Sequence, residues 1–216
     1  MSFVSYIIPQ TIARFSTKYN EDIRVVEESG KPKLLVDGSR QSGGYVEWLW
    51  KKAFAAFKLG SGLKGPQGLI PTILVLGVGG GTVIHLLHKR YPDAHITAVD
   101  IDPKMIEIGK RFFALGTIPN LSLVVADAEK FIKKKTHFDL IIVDLSIGRH
   151  IPDFVSSRVF LKQLRSSIVI INYLRELEYK EKSQKLEDVL EKIFPVVKNY
   201  QIARNSFYFV VKSKDV

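Results

Sequence analysis

Residues 72–82 read TILVLGVGGGT, a short apolar run followed directly by a turn rich in glycine. An apolar run of this length is too short for a helix, so it indicates a buried strand. Residues 83–91 then carry a helical pattern that ends before Pro92. The stretch therefore predicts a strand, a tight turn and a helix, and the glycines allow a ligand to approach the backbone of the turn closely.

Strands and helices alternate in the same way beyond this unit. Further apolar runs predict strands at residues 96–99, 121–125, 140–143 and 168–171. The segments between them are long enough for crossover helices, and Asp102-Pro103 predicts an N-cap followed by proline at the first position of a helix that reaches residue 113. This alternation is typical of a parallel sheet with helices on both faces.

The end of the chain departs from the alternation. A helix predicted at residues 176–194 is followed by strands at 196–203 and 206–212, which are close enough for only a hairpin. We therefore expect an α/β fold: a Rossmann-like, doubly wound, mostly parallel sheet that ends in a C-terminal antiparallel hairpin.

The first third of the chain has a different pattern. Residues 22–37 form two short runs of strand-forming residues around a turn, which predicts a β-hairpin. A helix is predicted at 45–58, because apolar side chains recur at helical spacing at Tyr45, Trp48, Ala53 and Ala56. Residues 60–71 hold four glycines and two prolines, which mark a boundary. We expect two units, an N-terminal β-hairpin and helix element over 1–66 and a Rossmann-like domain over 67–216.

Composition excludes several classes of protein. The chain has 216 residues, 46% of them hydrophobic and 25% charged, which excludes a mostly disordered chain. With no cysteine, it has no disulfide scaffold, thiolate metal site or cysteine nucleophile. No apolar run approaches the roughly 18 residues of a membrane span, and residues 1–18 lack a signal core, so we expect no membrane association and a cytoplasmic location.

The charge of the chain is unevenly distributed. The formal net charge is +10, and counting by segment gives +4 for residues 1–68, 0 for 69–128 and +6 for 129–216. Much of the C-terminal excess lies in a helix with alternating charges, which is typical of a solvated face. The lysines at 133–135 are interpreted in the same way. Nucleic acid is therefore a less favoured partner than a small molecule.

Glycines and acids follow three of the predicted strands. Gly77, Gly79 and Gly81 follow the first strand, Asp100 the second, and Asp127-Ala128 the third. In doubly wound sheets, ligands bind beyond the carboxyl ends of the strands. A carboxylate at Asp100 can accept hydrogen bonds from both hydroxyls of a ribose, and Asp127 can accept one from the amino group of an adenine. The pattern predicts an adenosine site.

Other sites fit the sequence less well. A dinucleotide fingerprint places glycine or alanine at the position of Thr82, and a P-loop needs a Gly-Lys-Ser/Thr sequence that is missing here. His85 and His88 lie three residues apart, but no third ligand accompanies them, and we predict no metal site.

Several motifs together resemble a known superfamily. They are ILVLGVGGG at 73–81, AVDIDP at 98–103, VAD at 125–127 and FDLIIVD at 138–144. This set looks like a class I S-adenosylmethionine-dependent methyltransferase, with that family's form of the sheet. Within the superfamily the chain resembles the spermidine synthases, or polyamine aminopropyltransferases. Residues 19–27, LLVDG at 34–38, Gln41-Ser42 and YVE at 45–47 are similar to that family's N-terminal hairpin, Leu-x-Leu-Asp-Gly…Gln segment and Tyr-His-Glu motif.

The resemblance implies roles for individual residues. Gly77, Gly79 and Gly81 would line the methionine end of S-adenosylmethionine or decarboxylated S-adenosylmethionine. The rest of the cofactor would contact Asp100, Ile101, Asp127 and Ala128. Asp144 stands at the position of the family's catalytic acid, and the acceptor pocket would include Gln41, Tyr45 and Ser146. The resemblance is also compatible with a homodimer.

The chain departs from the family's pattern near the acceptor. The family's Gly-Gly-Gly-Asp-Gly is GVGGG at 77–81, its Asp-Ser-Ser-Asp is DLSI at 144–147, and the acidic segment between Gln41 and Tyr45 is missing. A diamine needs several buried carboxylates to replace its hydration, so these losses argue against one.

Three functional hypotheses follow. The first is transfer of an aminopropyl or methyl group to an amine or another small nucleophile. The alternatives are a methyltransferase acting on RNA or another anionic substrate, and a non-catalytic nucleoside-binding protein. Four positions remain open between packing and the acceptor site: Trp48, Trp50, Arg149-His150 and Asn172-Tyr173.

Overall fold

The computed structural model describes residues 8–57, 63, 68–134, 136–176 and 178–211. The boundary expected between residues 66 and 67, the lysine at 135 and the predicted strand end at residue 212 lie outside these ranges.

The described residues form two sheets and six α-helices. The strands are β1 (Gln10–Phe15), β2 (Ile23–Glu28), β3 (Lys31–Val36), β4 (Ser39–Arg40), β5 (Thr72–Leu76), β6 (His95–Asp100), β7 (Leu121–Val125), β8 (Phe138–Val143), β9 (Ser166–Leu174), β10 (Val196–Ile202) and β11 (Asn205–Val211). The helices are α1 (Gly44–Ala56), α2 (Thr82–Arg90), α3 (Pro103–Phe112), α4 (Ala128–Phe131), α5 (Arg158–Gln163) and α6 (Tyr179–Ile193).

The larger sheet confirms the predicted fold. Its seven strands lie in the order β10-β11-β9-β8-β5-β6-β7. Strands β5 to β9 pair parallel with one another, and the antiparallel pairings described in this sheet are those of β11 with β9 and with β10. The strand order reverses between β5 and β8, which makes their carboxyl ends the expected place for a ligand.

The N-terminal sheet contains the predicted hairpin and two further strands. Strands β2 and β3 pair antiparallel from Ile23↔Val36 to Glu28↔Lys31, and the connecting turn has positive φ angles at Ser29 and Gly30. The structure adds β1, which pairs with β2, and the two-residue strand β4, which pairs with β3. Half of the side chains of β1 are exposed and none is fully buried, so no apolar run signals this strand.

Helix α1 confirms the helix predicted after residue 45 and packs against the main sheet. Its buried side chains are Leu49, Trp50, Ala53 and Phe54. Trp50 contacts Phe207 of β11 edge-on, with 5.1 Å between ring centroids. Tyr45 and Trp48, two of the residues whose spacing predicted the helix, are 39% and 44% exposed and lie on its outer face.

Two hydrophobic clusters cover the two faces of the main sheet. The first joins α1, α2 and part of α3 to the strands, and the second joins α4, α5 and α6 to the opposite face. A third, smaller cluster packs the N-terminal sheet on α3 through Ile23, Val25, Leu34, Val36, Met105 and Ile108. The N-terminal sheet is thereby held beside the carboxyl ends of the main strands.

Some helices are shorter than expected. Helix α6 begins at Tyr179 rather than at residue 176. The crossover from β7 to β8 is a four-residue helix, α4, followed by a 3₁₀ turn at Ile132–Lys134. In the ranges that the structure describes, no helix has the length and apolarity that a membrane span requires.

Candidate functional site

The glycine turn lies between the ends of three neighbouring strands. Gly77 has a φ of +95°, and a Cβ at this position would overlap the backbone oxygen of Asp144. Its N–H donates to the carbonyl of Val99 at 2.8 Å, and the N–H of Asp144 donates to the carbonyl of Leu76 at 2.8 Å. Only glycine fits here, because both the φ angle and the space exclude a side chain. The turn is therefore fixed against the loop that follows β8.

Gly79 and Gly81 complete this turn. Gly79 lies close to the backbone oxygen of Gln41, and Gly81 is the N-cap of α2. The carbonyl of Gly81 accepts from the N–H of His85 at 3.0 Å. The turn is partly buried and lies just before the start of a helix, in the place predicted for the cofactor.

Asp100 is bound to the glycine turn by backbone hydrogen bonds. One carboxylate oxygen, Oδ2, accepts from the N–H of Val78 at 3.0 Å, and Oδ1 accepts from the N–H of Asp102 at 2.9 Å. Burial raises the pKa of Asp100 above its ordinary value, while backbone N–H groups oppose this effect. Each carboxylate oxygen can accept two hydrogen bonds, so Asp100 can hold the turn and still accept from a ligand hydroxyl.

Asp127 is also a helix cap. Its Oδ1 accepts from the N–H groups of Glu129 at 2.9 Å and Lys130 at 3.4 Å, at the start of α4. Ala128 is buried, and Ile101, directly after Asp100, is partly buried. All of the predicted cofactor residues lie at the carboxyl ends of β5, β6 and β7, which are adjacent strands.

Asp144 follows β8 and carries two hydrogen bonds from side chains. Its Oδ1 accepts from Asn172 Nδ2 at 2.8 Å, and the side chain of Trp50 also binds the carboxyl group. Burial raises the pKa of Asp144 above its ordinary value, and the bonds from Asn172 and Trp50 oppose this effect. Asp144 is therefore a desolvated carboxyl group with dedicated donors, which is a pattern that recurs in general bases.

A cavity of about 20 Å³ joins Asp144 to the glycine turn. Its lining residues come from the N-terminal segment, α1, the turn and the end of β8: Gln41, Val46, Trp50, Gly77, Val78, Gly79, Thr82, Val83 and Asp144. Among these residues, Asp144 has the only carboxyl group. The lining of this cavity therefore has one acid, and Gln41 and Thr82 contribute other polar side chains.

The residues predicted for the acceptor are distributed inside and outside this cavity. Gln41 lines it and donates from Nε2 to the carbonyl of Gly148 at 3.3 Å. Tyr45 is outside the lining and stacks on Trp48, with 6.0 Å between ring centroids. Ser146 is exposed on the loop after β8. Val46 and Trp50 of α1 stand at the cavity instead of Tyr45.

The position of Ser42 explains why the glycine turn has no acidic side chain at residue 80. A Cβ at Gly80 would overlap both Oγ and Cβ of Ser42. Ser42 is 2% exposed, and its hydroxyl has no hydrogen-bond partner among the described residues. A side chain at position 80 and Ser42 in this position exclude each other. Sequence reasoning noted the lost acid but assigned no role to Ser42.

Sequence reasoning also missed the residue that holds the loop after β8. The Oδ1 atom of Asn20 accepts from the N–H of Gly148 at 2.9 Å, and its Nδ2 donates to Asp102 Oδ2 at 2.9 Å. Arg149, considered for the acceptor site, donates from Nε to the carbonyl of Asp37 at 2.6 Å. The N-terminal segment therefore fixes this loop from two sides.

One histidine of α2 is hydrogen-bonded to a backbone carbonyl. His85 Nε2 lies 2.6 Å from the carbonyl oxygen of Phe113. No group of three or more potential metal-binding side chains occurs within the described part of the chain.

Comparison with known proteins agrees with this geometry. The sequence model of the family described as "Methyltransferase domain" matches residues 73–166. A polyamine aminopropyltransferase of Vibrio vulnificus is 37% identical over 102 residues, which is 44% of this chain and 34% of the relative. A solved spermidine synthase in complex with the transition state analogue AdoDATO has a TM-score of 0.72 and 16% sequence identity, over 95% of this chain and 73% of that one. The chain has a class I methyltransferase fold, and over part of its length its sequence is similar to that of a polyamine aminopropyltransferase.

A second kind of relative is also similar to this chain. An eEF1A lysine and N-terminal methyltransferase homolog of Drosophila melanogaster is 31% identical over 144 residues, which is 60% of this chain and 21% of the relative. The matches thus span about a third and a fifth of the two curated relatives. The chain thus has the glycine turn, Asp100 and Asp144 in one region and is similar to transferases of two types.

Proposed function

We propose that the chain transfers a group from S-adenosylmethionine, or from its decarboxylated form, to the nitrogen of an amine. The observation that carries the proposal is the position of Asp144, whose carboxyl group lines one cavity together with Gly77 and Gly79. This cavity lies at the reversal point of the strand order, between the carboxyl ends of β5 and β8.

The residues present fit the nucleoside part of such a cofactor. Asp100 has acceptor capacity for ribose hydroxyls beyond its backbone bonds to Val78 and Asp102. Asp127 uses Oδ1 to cap α4, and its second oxygen would accept from the adenine amino group. The small side chain of Ala128 leaves room for the base. Gly77 and Gly79 would let the methionine end approach the backbone of the turn.

Asp144 would act on the acceptor amine. When bound, the sulfonium group supplies a carbon that is already electrophilic, so the protein's contribution is to position the nucleophile and manage its proton. Asp144 would accept a hydrogen bond from the acceptor's ammonium group and take up its proton before attack, because the nitrogen needs its lone pair. The N–C bond would then form as the C–S bond of the donor breaks, and a neutral thioether would leave. Burial favours this role, because a raised pKa makes a carboxylate a stronger base.

The acceptor that fits best is an amine with a single positive charge. The names of both relatives refer to amine groups, which are a polyamine in one case and lysine and the N-terminus in the other. Asp144 is the only acid among the described lining residues, and a second charged amine group would remain without a counter-charge. We therefore place a monoamine, or one amino group of a larger molecule, ahead of a diamine.

A transfer assay with two donors and three acceptor classes tests the proposal. The purified protein is incubated with either S-adenosylmethionine or its decarboxylated form, together with monoamines, diamines or RNA, and the products are analysed by mass spectrometry. We expect an added methyl or aminopropyl group on an amine, with the donor consumed identifying the group. The Asp144→Asn variant should form far less product. Modification of RNA alone would contradict an amine acceptor.

A further inference from the structure

A line of hydrogen-bonded side chains runs from the last strand to the cavity. Asn205, the first residue of β11, donates from Nδ2 to Asn172 Oδ1 at 2.8 Å. Asn172 of β9 donates in turn from Nδ2 to Asp144 Oδ1 at 2.8 Å. The register pairs Asn205 with Leu174 and Phe207 with Asn172, so the two asparagines are diagonal neighbours on one face of the sheet. Trp50 packs on Phe207 on that same face.

The direction of these hydrogen bonds depends on whether the carboxyl group of Asp144 is protonated. An asparagine amide has one donor end and one acceptor end, so an Asn172 oxygen occupied by Asn205 leaves the NH₂ group for Asp144. The indole N–H of Trp50 can only donate. Asp144 therefore faces two donors that come from different elements, β9 and α1. An ionised carboxylate accepts from both, whereas the reverse direction of the line would require a proton on Asp144.

We propose that Asn172 and Asn205 are positioning residues, which keep Asp144 oriented and ionised so that it can accept the proton of the substrate amine. This inference rests on the proposed function for the identity of the substrate. The arrangement of the three side chains does not depend on it. Neither asparagine lines the cavity, so both act through Asp144 and do not touch the acceptor.

Charged groups on the surrounding elements have other partners. On α1, Glu47 pairs with Lys51, and beyond β9 the side chain of Arg175 donates to the carbonyl of Ala203 at 2.7 Å. The remaining nearby groups are Asp100 on its backbone donors, Arg149 on the carbonyl of Asp37, and the exposed His150. The effects identified on the pKa of Asp144 are burial, which raises it, and the bonds from Asn172 and Trp50, which lower it. Removal of the Asn172 bond should therefore be visible in the titration of Asp144.

Trp50 offers a direct readout of this titration. The chain has two tryptophans, so Trp48→Phe leaves Trp50 as the single indole, bound to Asp144. In this background the fluorescence of Trp50 is followed against pH. Asn172→Ala should move the midpoint upward by about one pH unit, because it removes a hydrogen bond to the charged form. Asn205→Ala should move it in the same direction by less, and Asp144→Asn should abolish the transition.

Asn199→Ala is the matched control. Asn199 lies on β10 and donates from Nδ2 to Glu187 Oε2 at 2.8 Å, the same kind of amide-to-carboxylate bond away from Asp144. This variant should leave the midpoint unchanged. Circular dichroism verifies folding, and Asn205→Ala carries the test if Asn172→Ala does not fold.

Three results separate the inference from the proposed function. An upward shift in Asn172→Ala and Asn205→Ala, matched by the acidic limb of the pH–kcat profile, supports both. An upward shift without transfer to any amine keeps the positioning role of the asparagines and removes the proposed function. An unchanged midpoint in the folded variants overturns the positioning role, whatever the activity.

Discussion

The pKa values of two aspartates at the strand ends are both raised, but their carboxyl groups have different hydrogen-bond partners. Burial raises the pKa of both Asp100 and Asp144. Backbone N–H groups bind Asp100, so its position follows from the strands themselves. Side chains bind Asp144, so its properties depend on the residues at positions 50 and 172. Asp100 is thus suited to a fixed binding contact, and the pKa of Asp144 can be changed by substitutions at positions 50 and 172.

The raised pKa of Asp144 predicts the pH dependence of turnover. A base must be ionised, so turnover should fall as the pH decreases, with a midpoint above the ordinary aspartate value of 3.8. Asp144→Asn should remove this acidic limb and lower kcat by about 10²- to 10⁴-fold. Cofactor affinity, measured by calorimetry, should change little. Equal losses of affinity and turnover would instead indicate a structural role.

The glycine at the end of β5 gives a stability prediction with an internal control. Gly77→Ala should lower the free energy of unfolding by more than about 2 kcal/mol, since its Cβ would overlap backbone and its φ is positive. Gly44→Ala, at the start of α1 with open space around it, should raise the same quantity by about 0.5 kcal/mol. Urea unfolding measures both. Equal effects of the two changes would contradict the tight contact with Asp144.

At the scale of elements, Asn20 connects three parts of the molecule. It binds Gly148 in the loop after β8 and Asp102, the N-cap of α3, from within the N-terminal segment. Asn20→Ala leaves a buried N–H and a buried carboxylate each without one partner, so it should destabilise the fold by about 1–3 kcal/mol. Thermal unfolding measures this, with Gln184→Ala on the exposed face of α6 as the control. A change as small as that of the control would contradict the connecting role.

The elements differ in how far the sequence predicts them. The five parallel strands were predictable because each contains a short apolar run, even though the edge strand β7 is only partly buried. Strand β1 was not, because its exposed side chains lack such a run. The sequence predicted helix α1 but not its buried face, on which Trp50 packs in the core while Tyr45 and Trp48 stack on the exposed side. Which aromatic residues are buried depends on the sheet that α1 packs against.

The sequence predicted the positions of the candidate site residues but not their hydrogen-bond and packing partners. Strand ends are ordered by the fold, so the positions of Gly77, Asp100 and Asp144 at one edge followed from the alternation of strands and helices. The partners of these residues did not follow. Asn172, Asn205 and Ser42 are distant in sequence from the groups they contact, and their roles depend on tertiary packing.

At the scale of the whole molecule, the N-terminal part shares its core with the rest. Trp50 and Phe54 belong to the main cluster, and Val25 and Leu34 pack with Met105 and Ile108 of α3. A chain of residues 67–216 should therefore unfold at lower urea concentration than the full chain, because apolar surface on α3 and β11 becomes exposed. An unchanged midpoint would support two independent units, 1–66 and 67–216, as the sequence suggests.

The positive charge of the molecule gives a prediction about RNA binding. A net charge of +10 keeps RNA as an alternative acceptor, and an RNA substrate would bind with steep salt dependence. We expect weak binding of RNA without sequence preference, since the lysines of the Ile132–Lys134 turn lie apart from the cavity lining.

A homodimer stays a prediction of the sequence resemblance. Analytical ultracentrifugation would measure the oligomeric state.

Calorimetric titration tests the central claim, that the edge formed by Gly77, Asp100 and Asp127 binds an S-adenosyl nucleoside. Wild-type protein and Asp100→Ala are titrated with S-adenosylmethionine, its decarboxylated form and NAD. We expect one of the two S-adenosyl compounds to bind with one-to-one stoichiometry, and Asp100→Ala to weaken it about tenfold to a hundredfold through lost hydrogen bonds to the ribose. Preference for NAD, or equal affinity of the wild type and the variant, would contradict the account.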